Sequence, residues 1–206
     1  MLAFLKQTIT NFHHTGAVSP SSPWLARAIA EPLAARGGEP VEFLEAGPGT
    51  GAITAGILPH LRPGDRLTLC EINADFVAHL ERRFRDDPAF APHAKQVTIH
   101  HGPVEDTGLE ARFTHIVCGI PFNNFEPALV ERIFASFRKV LLEGGTVNFF
   151  EYAAVRDLKR PFVSDQERRR LDGVASVIGN LVREHQVRAK LVPMNFPPAW
   201  ARCLKF

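Results

Sequence analysis

An open α/β domain on a mostly parallel sheet is the fold class that this 206-residue sequence predicts, on three observations. Apolar, β-rich runs alternate with stretches of helical periodicity, the first strand and helix are joined by closely spaced glycines, and the chain closes on two strand-like runs separated by a turn. With 45% hydrophobic residues the chain can bury one core. It is read as a single domain over 1–206, in which residues 1–35 form a helical extension, with no room for a separate catalytic domain.

The elements follow in order. Leu2, Leu5, Ile9 and Phe12 recur at intervals of three and four, with Phe4 widening the stripe and Lys6, Gln7 and Asn11 opposite, which predicts an N-terminal amphipathic helix over 1–12. Such a helix suits a membrane surface or a lid on its own domain. A turn-rich joint at 13–23 feeds a second helix over 23–35. Val41 to Glu45 is a buried strand, 52–61 a helix stopped near Pro63-Gly64, and Arg66 to Ile72 a second strand ending in an acid. Asn73 caps a helix to about Arg85, followed by strands at 96–101 and 113–118. A helix over 127–142, ended by Gly144-Gly145, leads into a fifth strand at 146–152. A last helix over 165–183 precedes the closing hairpin of 186–194 and 200–206.

The run Glu45-Ala46-Gly47-Pro48-Gly49-Thr50-Gly51 organises the rest. Glycines after a strand let backbone approach a ligand that a β-carbon would block. Gly47, Gly49 and Ala52 also fit the dinucleotide fingerprint G-x-G-x-x-G/A, which is weak alone. Glu45 decides against it, because a carboxylate there would repel a pyrophosphate, whereas it suits a ligand end bearing an ammonium, such as the methionine part of S-adenosylmethionine. Glu71, twenty residues past Gly51, is placed to accept both ribose hydroxyls.

These two motifs resemble the seven-strand S-adenosylmethionine-dependent methyltransferases, from about Val41 onward. The resemblance implies a Rossmann-like sheet with an antiparallel last strand and S-adenosylmethionine as cofactor. It implies cofactor contacts at Glu45, Gly47, Gly49, Gly51, Glu71, Ile72 and Gly119, and at Val104 and Glu105, since Pro103 stands where many members carry the adenine-binding acid. The segments 15–22 and Gly119-Ile120-Pro121-Phe122-Asn123-Asn124-Phe125, with the glycine loop, further resemble bacterial phospholipid N-methyltransferases that convert phosphatidylethanolamine to phosphatidylcholine. That family also begins with a membrane-binding amphipathic helix. It implies an acceptor site of Phe122, Asn123, Glu151 and Tyr152, with Phe125 completing the apolar wall and Glu151 or a water taking the proton. Adenine N6-methyltransferases are distantly similar, and in them a polar residue reads the base where this chain has Gly119, so that alternative lacks its hydrogen bond. A third reading is a non-catalytic S-adenosylmethionine-binding module, against which the complete loop and Glu71 weigh.

Composition sets the remaining expectations. Cys70, Cys118 and Cys203 lie far apart in predicted strands, without metal-like spacing, as reduced core residues of a cytoplasmic protein. No apolar run reaches transmembrane length and no signal-peptide pattern opens the chain. Residues 156–206 carry 11 Lys and Arg against 5 Asp and Glu, whereas 1–155 carry 13 against 17. A basic C-terminal third with an apolar N-terminal helix predicts peripheral binding to an anionic membrane, at its inner face, rather than to nucleic acid.

Overall fold

The computed structural model describes residues 21–104, 110–153 and 163–206. The expected helix over 1–12, the joint at 13–20 and Glu105 lie outside them. Helix α1 (Pro23–Ala30) is capped by the Ser22 side chain, which accepts from the Leu25 N–H, and Pro23 opens its first turn. A 3-10 turn, Glu31–Ala34, extends it to the predicted end.

Seven strands make one sheet in the order β3-β2-β1-β4-β5-β7-β6. They are β1 (Glu42–Ala46), β2 (Arg66–Glu71), β3 (Val97–His101), β4 (Phe113–Cys118), β5 (Leu141–Tyr152), β6 (Gln186–Val192) and β7 (Ala199–Lys205). β1 to β5 pair in parallel, and β7 runs antiparallel between β5 and β6. The seven-strand Rossmann-like arrangement is therefore the observed one. Among the described residues the other α-helices are α2 (Thr54–Ile57), α3 (Ala74–Asp86), α4 (Pro127–Val140) and α5 (Asp165–His185).

Two boundaries differ from expectation. The helix after the glycine loop holds only four residues before a 3-10 turn at Leu58–His60. Pro59 has no N–H to continue an α-helical ladder, so this short segment lends the loop little macrodipole. α4 passes straight into β5, because Leu141 already pairs with Phe113 before Gly144, at φ +74°, turns the strand into register with His115.

The central parallel strands β1, β2 and β4 are buried on both faces, as parallel strands require, whereas the edge strand β6 is exposed. One core gathers Phe122, Phe134, Phe137 and Phe149 beneath α4 and α5, and the other gathers Leu25, Ile29, Phe43, Leu80 and Phe150 beneath α1 and α3. Cys70, Cys118 and Cys203 are buried thiols in their strands, and burial pushes the Cys118 thiol up to about 12. The C-terminal ends of β1, β2, β4 and β5 open on a common edge, where such sheets bind ligands.

Candidate functional site

At that edge the chain leaves β1 through Gly47, Gly49 and Gly51, with φ of +69°, +56° and +83°. Glycine holds this left-handed region without the β-carbon penalty of other residues. The surroundings divide their tasks. A β-carbon on Gly47 would lie 2.7 Å from the Ile120 side chain, and one on Gly51 would lie 3.0 to 3.3 Å from Arg83, Leu80 and Phe90. Gly51 thus serves the packing of the loop on α3. Among the described residues nothing lies within 4 Å of the β-carbon position of Gly49, so a side chain there would enter the space above the loop.

Two buried carboxyl groups support the loop from below. Glu71, at the end of β2 and 4% exposed, accepts from the Gly49 N–H at 3.0 Å and from the Asn73 N–H at 2.9 Å. It ties the loop to the cap of α3, and its two oxygens keep acceptor capacity for hydroxyls. Ile72 follows it, with its carbonyl 3.3 Å from His101 Nε2. Glu45 is fully buried and accepts from the Thr54 hydroxyl at 2.7 Å, while its Oε1 has no partner among the described residues. Burial first, and the nearby Glu71 charge as a lesser cause, push the Glu45 carboxyl up to about 8. A loop that admits close approach and a buried carboxyl with an unpartnered oxygen both fit a cofactor whose amino acid end carries positive charge.

The side expected to take the acceptor is built by β4, β5 and α5. Gly119 continues β4, donating to the Ala46 carbonyl at 2.9 Å, and a β-carbon on it would meet the Gly47 carbonyl at 2.5 Å. The absence of a polar residue here therefore has a steric cause: the two loops touch. Pro121 leads into a 3-10 turn, Phe122–Asn124, and beside it Phe150, Glu151, Tyr152 and Ile178 enclose a small cleft with Pro121, Phe122 and Asn123. Phe122 is 2% exposed, with its ring 5.1 Å from Phe134 and 5.7 Å from Phe149, and Phe125 is also buried. Both are chiefly core residues, and Phe122 backs the cleft more than it faces it. Tyr152 is half-buried, edge-on to Phe150 at 5.2 Å, and burial raises its hydroxyl above the ordinary tyrosine value. Asn123 is partly buried beside it. Glu151 is engaged by Arg202, whose Nε donates to it at 2.9 Å, so it does not stand free as a base. Val104 packs into the core beneath α4 and α5.

Comparison with known proteins shows the family. A family model described as "Methyltransferase domain" matches residues 44–147, from β1 through the first half of β5. The chain belongs to the methyltransferase-domain family. An ornithine lipid N-methyltransferase of Singulisphaera acidiphila is 30% identical over 140 residues, which cover 66% of this chain and 71% of that protein. The O-methyltransferase TomG of Streptomyces achromogenes, solved with S-adenosylmethionine, shares 19% identity and superposes with a TM-score of 0.62 over 99% of this chain and 88% of its own. The CurJ carbon methyltransferase, at 18% identity and a TM-score of 0.58, is matched by 82% of this chain, which spans about half (49%) of its length. S-adenosylmethionine is the cofactor of this methyltransferase fold.

Two site residues escaped the sequence reading. Ile178 lies more than two turns of α5 beyond Arg170 and carries no chemical signal. Arg170 stands in the run Arg168-Arg169-Arg170, which composition presents as a basic surface patch. In the structure Arg170 turns inward: Nη1 donates to the Phe125 carbonyl at 2.7 Å and Nη2 to the Asn123 carbonyl at 2.8 Å, while Glu167 accepts from Nε and Nη2. One guanidinium thus fixes the turn that forms one side of the cleft. Arg170→Ala is expected to lower kcat/KM for the acceptor by roughly 10–100-fold through misplacement of that turn. Cofactor affinity by calorimetric titration should be unchanged, and Arg170→Lys, lacking the fork, should fall between.

Proposed function

We propose that this methyltransferase-family chain transfers methyl groups from S-adenosylmethionine to the amino headgroup of a phospholipid, converting phosphatidylethanolamine towards phosphatidylcholine. The observation that carries the reading is the half-buried, aromatic-walled cleft at Pro121 to Asn123 and Tyr152, next to the cofactor loop and closed to a base-reading side chain at Gly119. The likeness to an ornithine lipid N-methyltransferase supports a lipid amine as the acceptor class.

The cofactor supplies an electrophilic methyl group on a sulfonium, and the chain must deliver an amine lone pair in line with it. A primary ammonium with a pKa of ~10 is neutral in only about a thousandth of molecules at pH 7. The apolar walls of Phe122, Phe150 and Ile178 favour the neutral amine by desolvation. Asn123 orients the headgroup and Tyr152 faces the amine. As methyl groups accumulate the product becomes a permanent cation, for which an aromatic face contributes about 0.5–2 kcal/mol. With Glu151 held by Arg202, water is the simpler proton acceptor at this open edge.

Among the described residues no helix is long and apolar enough to cross a membrane. Peripheral attachment to the inner face of the membrane, through residues 1–12 and basic side chains, is the matching proposal for location. The experiment is to incubate the protein with methyl-labelled S-adenosylmethionine and, separately, vesicles containing phosphatidylethanolamine, vesicles containing ornithine lipid, and ribosomal RNA. Label in phosphatidylethanolamine is expected, and label only in RNA or in neither lipid would sink the reading. Tyr152→Ala should lower turnover at least tenfold with cofactor affinity kept, the pattern of a group acting on the acceptor.

A further inference from the structure

The most exposed large apolar side chains of the described residues include three that lie near one another in the fold. Trp24 is 53%, Met194 61% and Phe196 87% exposed. Met194 and Phe196 belong to the turn between β6 and β7. That turn lies at the ligand edge of the sheet, because Tyr152 pairs with Ala199 and the Ala153 N–H donates to the Pro198 carbonyl at 2.7 Å. Asn195, between them, is 4% exposed: its Oδ1 accepts from the Ser22 N–H at 3.0 Å and its Nδ2 donates to the Pro197 carbonyl at 2.7 Å. The buried amide pins the turn to the cap of α1 and leaves its two apolar neighbours outside. Trp24 stands in the first turn of α1, and Arg27, three residues on and on the same helical face, is also exposed. The nearby acid, Glu31, is engaged by Arg188 and Lys190.

We infer that Trp24, Met194 and Phe196, flanked by Arg27, Arg188 and Lys190, form a second docking surface for an anionic lipid bilayer, one that turns the Tyr152 cleft towards the headgroups. This inference rests on the phospholipid reading. A lipid amine stays at headgroup depth, so the edge bearing the cleft must meet the bilayer, and apolar side chains beside that edge would enter the interface first. Aromatic side chains favour that depth, and a surplus of positive charge around them suits anionic headgroups. Because Asn195 already holds the turn, docking needs no rearrangement to expose it. The surface shares no residue with the stripe of residues 1–12, and it would contribute to attachment as well as set the orientation of the cleft.

The test compares the intact chain with the double variant Met194→Ser, Phe196→Ser, with circular dichroism to show an unchanged fold. Partitioning onto phosphatidylglycerol/phosphatidylethanolamine vesicles by co-sedimentation should fall by about tenfold or more on loss of two insertable apolar side chains. Methylation of vesicle phosphatidylethanolamine should fall with it, while methylation of monomeric dihexanoyl phosphatidylethanolamine should not change. A double variant that pellets as fully as the intact chain would overturn the inference, as would unchanged pelleting with an altered oligomeric state, which would mark the patch as a contact between copies. An intact chain that methylates neither lipid form would defeat the phospholipid reading alone, since sedimentation scores the surface without turnover.

Discussion

Gly49→Val is expected to abolish S-adenosylmethionine binding, with at least a hundredfold loss of affinity. Two effects act together. Gly49 sits at φ +56°, where a β-branched residue is strained by roughly 1–2 kcal/mol, and its N–H is the donor that Glu71 holds. The larger effect is occupation: the β-carbon and two methyl groups would fill the space above the loop, where none of the described residues comes within 4 Å of the β-carbon position. Glu71→Ala should act on the same site by another route, leaving the N–H groups of Gly49 and Asn73 without their acceptor, and cost roughly tenfold or more. Gly51→Ala is the contrast. Its β-carbon would press on Arg83, Leu80 and Phe90, so it should lower the melting temperature more than the affinity. Calorimetric titration with S-adenosylmethionine and thermal unfolding separate the three, and unchanged affinity in both Gly49→Val and Glu71→Ala would refute the assigned pocket.

The glycine loop was legible because its residues carry local constraints that no distant contact needs to complete: three left-handed positions and an acid on each of two strand ends. The strands were legible for a similar reason, since buried parallel strands are short apolar runs between breakers. What the sequence withheld depends on pairing across the fold. Glu151 read as one of two candidate proton acceptors, beside a water, because Arg202, 51 residues away, reaches it only through the register of β5 on β7. Phe122 lines the cleft as read, but its burial against Phe134 and Phe149 follows from the direction of the 3-10 turn, which the local sequence does not fix. Arg168 and Arg170 read as members of one basic patch with Arg169. Helical rotation instead leaves Arg169 exposed, pairs Arg168 with Asp165 at 3.5 Å and aims Arg170 at the carbonyls of the turn.

Glu45→Gln should stabilise the free protein at alkaline pH and weaken its hold on the cofactor, both by large amounts. The fully buried carboxyl is pushed from 4.5 up to about 8, chiefly by burial. Between those values the native state keeps a proton that the unfolded chain releases, so wild-type stability falls as pH rises from about 4.5 to 8 and then levels off. Glutamine imitates the neutral acid and can keep the acceptor for Thr54, so this component of the slope should vanish. The variant should match wild type near pH 4.5 and exceed it at pH 8.5 by on the order of 3–5 kcal/mol, seen as a melting temperature raised by roughly 5–15 °C. Binding has the opposite sign. A cationic ligand end beside Glu45 favours the carboxylate, so wild-type binding should release a proton between pH 6 and 8, while the variant should release none from this site and bind at least tenfold more weakly. Titration in two buffers of different ionisation enthalpy measures that proton. Equal pH dependence of unfolding in wild type and variant, or no proton released by wild type, would mean that Glu45 only holds Thr54 and takes no part in binding the cofactor.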